Sequence, residues 1–352
     1  MSKFLIEKYR KLEPYTPGEQ PKNTALIKLN TNESPYPPGP ATIAAVNEAE
    51  AANLCLYSDP ECRALKEALA GLYKLRPTNL FVANGSDDIL NFAFMAFAGE
   101  GGRVYFPELS YGFYQVFADL YRTDYVRVPL KEDLSIDAAN YVCRDGMIVI
   151  ANPNAPTGTY LCPAKIEEIV RTNRDQVVLV DEAYIDFGGE SAADLIYKYD
   201  NLLVVQTFSK SRSMAGARLG FAMAQEGLIS DLERLKFSTN PYNVNRLTSA
   251  AGVAAVREND YYMENCRRIM ETRDYTVKRL QQMGFSVIPS KANFIFVKCD
   301  KIDGEVLYQK LRQRGILVRH FDREEIKQYN RITIGSPEEM EKLLGAIEEI
   351  LR

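Results

Sequence analysis

Three short apolar runs in the middle of the chain each end in polar residues able to do chemistry. Gly146–Ala151 (GMIVIA) runs into NPNAPTG, Gln176–Val180 (QVVLV) into Asp181 and Glu182, and Leu202–Phe208 (LLVVQTF) into Ser209 and Lys210. A helix-forming stretch, Lys165–Arg171, separates the first two. A strand with one wet face alternates apolar and polar residues, so continuous apolar runs separated by helices predict a parallel sheet covered on both faces. Ligands of open α/β sheets bind beyond the carboxyl ends of the strands. Polar clusters far apart in sequence are therefore expected to meet at one sheet edge. Arg103–Phe106 and Leu80–Ala83, the latter followed by NGSDDIL, read as two further strands.

The last third has another rhythm. Glu264–Met283 reads as a long amphipathic helix, Phe285–Ile288 and Asn293–Val297 as strands, and Glu305–Arg314 as a helix. Ile316–Arg319 and Arg331–Ile334 follow as short strands, and Pro337–Leu351 as a closing helix, an α+β layer in its own right. The expected organisation is an N-terminal arm joining the small domain (1–40), a large α/β domain (41–245) and a small C-terminal domain (246–352). A length of 352 residues with 46% apolar composition supplies the core for this.

Charge and cysteine usage narrow the function classes. A net charge of −4 gives no reason to expect a nucleic-acid partner. No stretch approaches the length of a membrane span, and MSKFLIEKYRKLEPY lacks the apolar core and cleavage site of a signal peptide. The six cysteines form no CxxC pair and His320 is the only histidine, so no metal site is expected and the thiols read as reduced, in a cytoplasm. A Ser–His–Asp or Cys–His enzyme would have to use His320, for which the sequence suggests no partner.

In TFSKSRSMAGARLGF, a strand delivers Thr207, Ser209 and Lys210 to a turn, and Arg218 follows the lysine by eight residues. Hydroxyls and an arginine around one lysine suit a phosphate held beside an amine-reactive carbon. A surface loop would explain a lone exposed lysine, but the apolar run before it and the small-residue MAGARLG after it argue against that. In VDEAYIDF, Asp181 could keep a pyridine nitrogen protonated and Tyr184 could donate to a ring oxygen; Asp181 as a simple helix cap is the plainer alternative. In NGSDDIL, Ser86 and Asp87 open a helix whose free N–H groups and dipole suit a phosphate, with plain capping again the alternative. Tyr111, just past another strand, could stack on a flat ring or simply fill the core.

Taken in this order, NPNAPTG, DEAY, TFSK and the downstream arginine resemble the fold-type I pyridoxal-phosphate aminotransferases over nearly the whole chain. LNTNESPYPP, LYSDP, PYNVN, ANFIF, GILVR and RITIG make the chain similar to the histidinol-phosphate aminotransferase family within them. The resemblance implies an α/β fold: a large domain with a mostly parallel central sheet between helices, plus a smaller α+β domain. It implies that Lys210 carries pyridoxal 5'-phosphate as a Schiff base, that Asp181 pairs with the pyridine nitrogen, that Tyr184 meets the ring hydroxyl and that Tyr111 stacks on the ring. Ser86, Asp87, Thr207, Ser209 and Arg218 would hold the phosphate, and Tyr57 would reach the phosphate of the other subunit of a homodimer with shared active sites. Tyr15, Arg319 and Arg331 would bind substrate. One position departs from the pattern: where the family places an asparagine directly before PTG, this chain has Ala155, and Asn154 is expected to shift into that role or leave Tyr184 to serve alone. The implied activity is amino transfer between histidinol phosphate and 2-oxoglutarate. The alternatives on the same fold are an aromatic amino acid aminotransferase and a threonine-phosphate decarboxylase. A cofactor-sensing regulator would need a DNA-binding segment for which the chain offers no spare stretch.

Overall fold

The computed structural model describes residue 9, residues 12–20 and residues 26–352. The rest of the 1–40 arm lies outside the described residues. The strands in chain order are β1 (Ile27–Lys28), β2 (Leu80–Ala83), β3 (Arg103–Pro107), β4 (Asp124–Val128), β5 (Met147–Ala151), β6 (Val178–Asp181) and β7 (Leu202–Thr207). They continue with β8 (Gly220–Met223), β9 (Phe285–Ile288), β10 (Phe294–Cys299), β11 (Ile316–Leu317), β12 (Arg319–His320) and β13 (Asn330–Thr333).

Seven strands form the large sheet in the order β2-β8-β7-β6-β5-β3-β4. Every residue of β5, β6 and β7 is buried, as their apolar runs require, and the polar Asp181, Gln206 and Thr207 come only at the carboxyl ends of β6 and β7. Successive side chains alternate between two cores. Ile148, Ile150, Val178, Val180, Leu202 and Val204 pack under helices Arg63–Tyr73, Pro163–Thr172 and Arg246–Arg257. Met147, Val149, Leu179, Leu203 and Val205 face helices Ser86–Phe97, Phe113–Tyr121 and Glu226–Thr239. At roughly 1.5–3 kcal/mol for each fully buried aliphatic side chain, a one-residue slip in register would exchange both cores at once, so the strand alignment is tightly specified.

One strand departs from the expected parallel sheet. β8 runs antiparallel to both β2 and β7. The chain leaves β7 at Thr207, loops through Lys210 and re-enters the sheet at Gly220, opposite Thr207. This reversal brings Arg218 back to the edge that carries Lys210; a parallel strand would have begun at the far edge.

The second layer is the antiparallel sheet β12-β13-β10-β9, backed by helices Asn259–Gln282, Gly304–Gln313 and Pro337–Leu351. The expected strand over 316–319 is two strands, because one stretch serves two sheets. Ile316 and Leu317 pair in parallel with β1 from the N-terminal segment, while Arg319 and His320 pair with β13. The long helix starts at Asn259, earlier than expected, because it follows the preceding helix through the single residue Glu258, which ends one and caps the other. Among the described residues no helix is long and apolar enough to cross a membrane.

Candidate active site

The polar segments after β2, β5, β6 and β7, and the residues leading into β8, meet at one edge of the large sheet. A cavity of about 390 Å³ opens there, closed from above by residues of the N-terminal segment and of the small sheet.

One end of the cavity is built to hold an anion. Helix Ser86–Phe97 starts there behind Gly85, whose φ of 89° is open to glycine and strained for other residues. A Cβ at Gly85 would also lie 2.7 Å from Arg218 Nη2. The free N–H groups of the helix start therefore lie beside a guanidinium, an arrangement that favours phosphate. Thr207 Oγ1 donates to Ser209 Oγ at 3.0 Å, and Arg218 Nη1 reaches Ser209 Oγ at 3.4 Å. Asp87 braces this end: its carboxylate accepts from Arg218 Nη2 at 2.9 Å and from the Tyr111 hydroxyl at 2.8 Å.

The other end holds Asp181, the last residue of β6, 5% exposed. Its Oδ2 accepts from the Tyr114 hydroxyl at 2.7 Å and its Oδ1 from the Ala183 N–H at 3.3 Å. Burial pushes the carboxyl up to about 6, with the Tyr114 hydrogen bond acting in the opposite direction. A buried carboxylate without a cationic partner in contact is suited to a protonated nitrogen. Glu182, one residue on, points to the opposite side, where it accepts from Ser191 Oγ and Gln206 Nε2. Between the two ends, Lys210 Nζ donates to the Thr31 carbonyl at 3.3 Å and lies 5.7 Å from the centre of the Tyr184 ring. The Tyr184 hydroxyl accepts from Asn32 Nδ2 at 3.0 Å.

The roof carries two arginines on directly opposed positions of β12 and β13, Arg319 and Arg331. Like charges so placed repel unless an anion lies between them. Arg331 donates from Nη2 to the Asn30 carbonyl at 2.9 Å, while its buried Nε has no partner among the described residues. Burial lowers the pKa of Arg331 most, and the Arg319 charge adds to the effect. Both lie in the cavity lining beside Tyr15, which stacks on Phe113 at 4.3 Å and meets Tyr111 edge-on at 5.9 Å.

Twelve of the fourteen residues expected from sequence line this cavity: Tyr15, Ser86, Asp87, Tyr111, Asp181, Tyr184, Thr207, Ser209, Lys210, Arg218, Arg319 and Arg331. Asn154 is a correction. It is fully buried within its own loop, where Nδ2 donates to the Leu109 carbonyl and Thr157 Oγ1 and Oδ1 accepts from Ser110. Its amide is committed on both ends, and the residue of this pair that lines the cavity is Ala155, which packs with Ala292 and Phe294 and has no polar side-chain atom. Tyr57 is 80% exposed and stacks on Tyr242 at 4.5 Å, away from this chain's own cavity. Sequence reasoning missed Tyr114 and Asn32. Tyr114 follows Tyr111 by three residues, a spacing that could have flagged it; Asn32 sat inside LNTNES with nothing local to mark it.

The aminotransferase class I and II family matches residues 24–347. A histidinol-phosphate aminotransferase of Brachyspira hyodysenteriae is 49% identical over 353 residues, covering 100% of both chains. One from Clostridium botulinum is 46% identical over 351 residues, covering 100% of this chain and 99% of the relative. Among solved structures, the histidinol-phosphate aminotransferase of Sinorhizobium meliloti in complex with pyridoxal-5'-phosphate shares the fold. Its TM-score is 0.85 at 24% identity, over 93% of this chain and 91% of that one. Full-length identity close to one half, joined to a sheet edge that gathers lysine, aspartate and an anion cradle in one cavity, places the chain in the histidinol-phosphate aminotransferase family of the class I and II aminotransferases.

Proposed function

We propose that the chain is a pyridoxal-phosphate-dependent transaminase that moves an amino group between histidinol phosphate and 2-oxoglutarate, giving imidazole acetol phosphate and glutamate, in histidine biosynthesis. The comparisons do not favour the aromatic aminotransferase or the threonine-phosphate decarboxylase. The observation that carries the reading is the opposed pair Arg319 and Arg331 over a cavity that also holds Lys210 and Asp181.

The residues fit the cofactor. Ser86, Asp87, Thr207, Ser209 and Arg218 would hold its phosphate, Tyr111 would cover its ring, and Asp181 would face its pyridine nitrogen. When bound, pyridoxal phosphate supplies an amine-reactive aldehyde and a ring able to take up the electrons left by Cα deprotonation. Lys210 Nζ would hold the aldehyde carbon at rest and, once freed, carry the proton from substrate Cα, acting first as nucleophile and then as general base. Asp181, ionised, would pair with the protonated pyridine nitrogen and so help keep the ring an electron acceptor. Tyr184 would donate to the ring oxygen. Arg331 would take the glutamate α-carboxylate, and Arg319 with Tyr15 the substrate phosphate.

Arg319→Ala tests the substrate assignment. KM for histidinol phosphate is expected to rise about 10- to 100-fold, the loss of one charge-assisted contact, with KM for glutamate changing far less. Steady-state kinetics with both donors reads this directly, and equal losses would sink the assignment.

The same reading makes the enzyme a homodimer with shared active sites, Tyr57 reaching the cofactor phosphate of its neighbour. Supporting it, Leu54, Leu56 and Tyr57 expose large apolar side chains close together in sequence, a surface that association would cover. Light scattering on the eluting protein is expected to give twice the chain mass, and a monomer at micromolar concentration would refute it. The two sheets support the division into an arm (1–40), a large cofactor domain (41–245) and a small domain (246–352) in outline, with helix Arg246–Arg257 packed in the core of the large sheet and so assigned to the large domain. Six unpaired cysteines suit a cytoplasmic location.

A further inference from the structure

We propose that Asn32 is a positioning residue for this reaction: it turns the Tyr184 phenol so that its proton is delivered to the cofactor's ring oxygen, a hold that position 155 cannot provide in this chain. The inference rests on the role given to Tyr184 above.

Ala155 lines the cavity without a side-chain donor, and Asn154 is spent on Leu109, Thr157 and Ser110. Tyr184 must then fix the ring oxygen, and a phenol that can swing its proton elsewhere is a poor donor. A tyrosine hydroxyl has one proton and lone pairs to accept with. Asn32 Nδ2 donates to that oxygen at 3.0 Å, so the hydroxyl accepts on that side and its own proton is left for the cavity. The ring cannot tilt freely, because it packs edge-on against Phe294 with centres 5.1 Å apart.

Which end of the Asn32 amide faces Tyr184 is set by Thr333. Its Oγ1 accepts from the Asn32 backbone N–H at 3.0 Å and donates to Asn32 Oδ1 at 3.0 Å. With Oδ1 held there, Nδ2 is the end presented to the phenol; the flipped amide would leave the threonine proton without this acceptor. The backbone is held too. Asn32 sits at φ 57°, a left-handed conformation that asparagine tolerates better than most residues, and its carbonyl accepts from Asn293 Nδ2 at 3.1 Å. Asn32, Thr333 and Asn293 are all buried, so water does not compete for these contacts. Asn293 precedes β10 and Thr333 ends β13, so the small sheet sets the direction of a hydrogen bond made from the large one.

A donor to the ring oxygen favours its anionic form and so lowers the pH at which the bound chromophore loses a proton. Losing one such hydrogen bond is expected to raise that midpoint by about one unit and to weaken cofactor binding about tenfold. The experiment compares the holoenzyme with Asn32→Ala, Thr333→Val, Tyr184→Phe and the double variant Asn32→Ala/Tyr184→Phe. Readouts are the pH titration of the visible absorbance band, the dissociation constant for pyridoxal 5'-phosphate from fluorescence quenching of the apo form, and thermal unfolding. Asn32→Ala and Tyr184→Phe are each expected to raise the midpoint, Thr333→Val to raise it by less, and the double variant to match Tyr184→Phe alone. A folded Asn32→Ala with an unmoved midpoint overturns the proposal, as does a double variant whose shift is the sum of the two singles. If Asn32→Ala does not fold, Thr333→Val decides, and an unmoved midpoint there overturns it. If Tyr184→Phe changes neither midpoint nor affinity, the role of Tyr184 falls and this inference with it; a shift in Tyr184→Phe without one in Asn32→Ala removes Asn32 alone.

Discussion

Lys210→Ala is expected to lower transamination by at least about 10⁴-fold, the upper range for removing a positioned acid–base group, and to abolish the visible colour of the purified protein. The size of the effect follows from two uses of one amine. Lys210 is the amine that would hold the cofactor aldehyde, and the same Nζ would carry the Cα proton, so the variant loses both. The surrounding groups do not compensate. Thr31 offers only a carbonyl, which cannot accept and return a proton at neutral pH, and Tyr184 lies half-buried beside the lysine with its hydroxyl engaged by Asn32. Stopped-flow measurement of a single half-reaction, with absorbance spectra of the resting protein, checks both parts. A wild-type protein that stays colourless after incubation with pyridoxal 5'-phosphate would remove the cofactor assignment itself. A coloured Lys210→Ala protein with turnover within about tenfold of wild type would remove Lys210 from the chemistry.

Asp181→Asn is expected to retain cofactor but lose turnover by about 10³-fold, the scale of removing one preorganised electrostatic contact from a water-excluded site. The amide keeps the shape and can still accept from Tyr114, but it cannot hold a positive charge on a ring nitrogen. Near-normal turnover in this variant would remove the electronic role of Asp181. The wild-type carboxyl adds a pH signature. Without cofactor, burial holds its pKa at about 6, above its ordinary value of 3.8. Below about pH 6 the apo protein therefore carries a proton that must leave before a pyridinium can pair with the carboxylate. Cofactor affinity is expected to fall as pH drops through 6, and Asp181→Asn to lack that dependence. For the apo fold the sign is the reverse. A raised carboxyl pKa means the unfolded chain binds fewer protons between about pH 4 and 6, so apo stability falls as pH rises across that window. Urea unfolding of apo wild type and apo Asp181→Asn at pH 4 and pH 6 measures the difference.

Much of this site was legible because its parts are local. Asp181, Ser209 and Lys210 sit within three residues of strand ends, and a buried strand in a covered sheet must be an apolar run. The run therefore marked both the strand and the place where chemistry begins. The same logic located Ser86 and Asp87 at a helix start. It failed where two neighbouring residues compete for one direction: Asn154 and Ala155 are adjacent, and whichever faces the cavity depends on the path of the loop. The loop turns the polar residue inward to tie Leu109, Ser110 and Thr157 together, because a buried amide must satisfy its own hydrogen bonds.

The sequence by itself determined the sheet, the strand ends and the residue types that arrive there, since each follows from hydrophobic period and short-range order. Only the tertiary structure decided which of those residues act together. Tyr114 meets a carboxylate 67 positions away, and Asn32 meets a phenol 152 positions away. Arg319 and Arg331 oppose each other through the register of two antiparallel strands. The return of Arg218 to the edge of Lys210 depends on the reversed direction of β8. Hydrophobic patterning tells each strand which face to bury, but a hydrogen bond between distant loops has no period in the chain, and its geometry exists only once both sheets have packed.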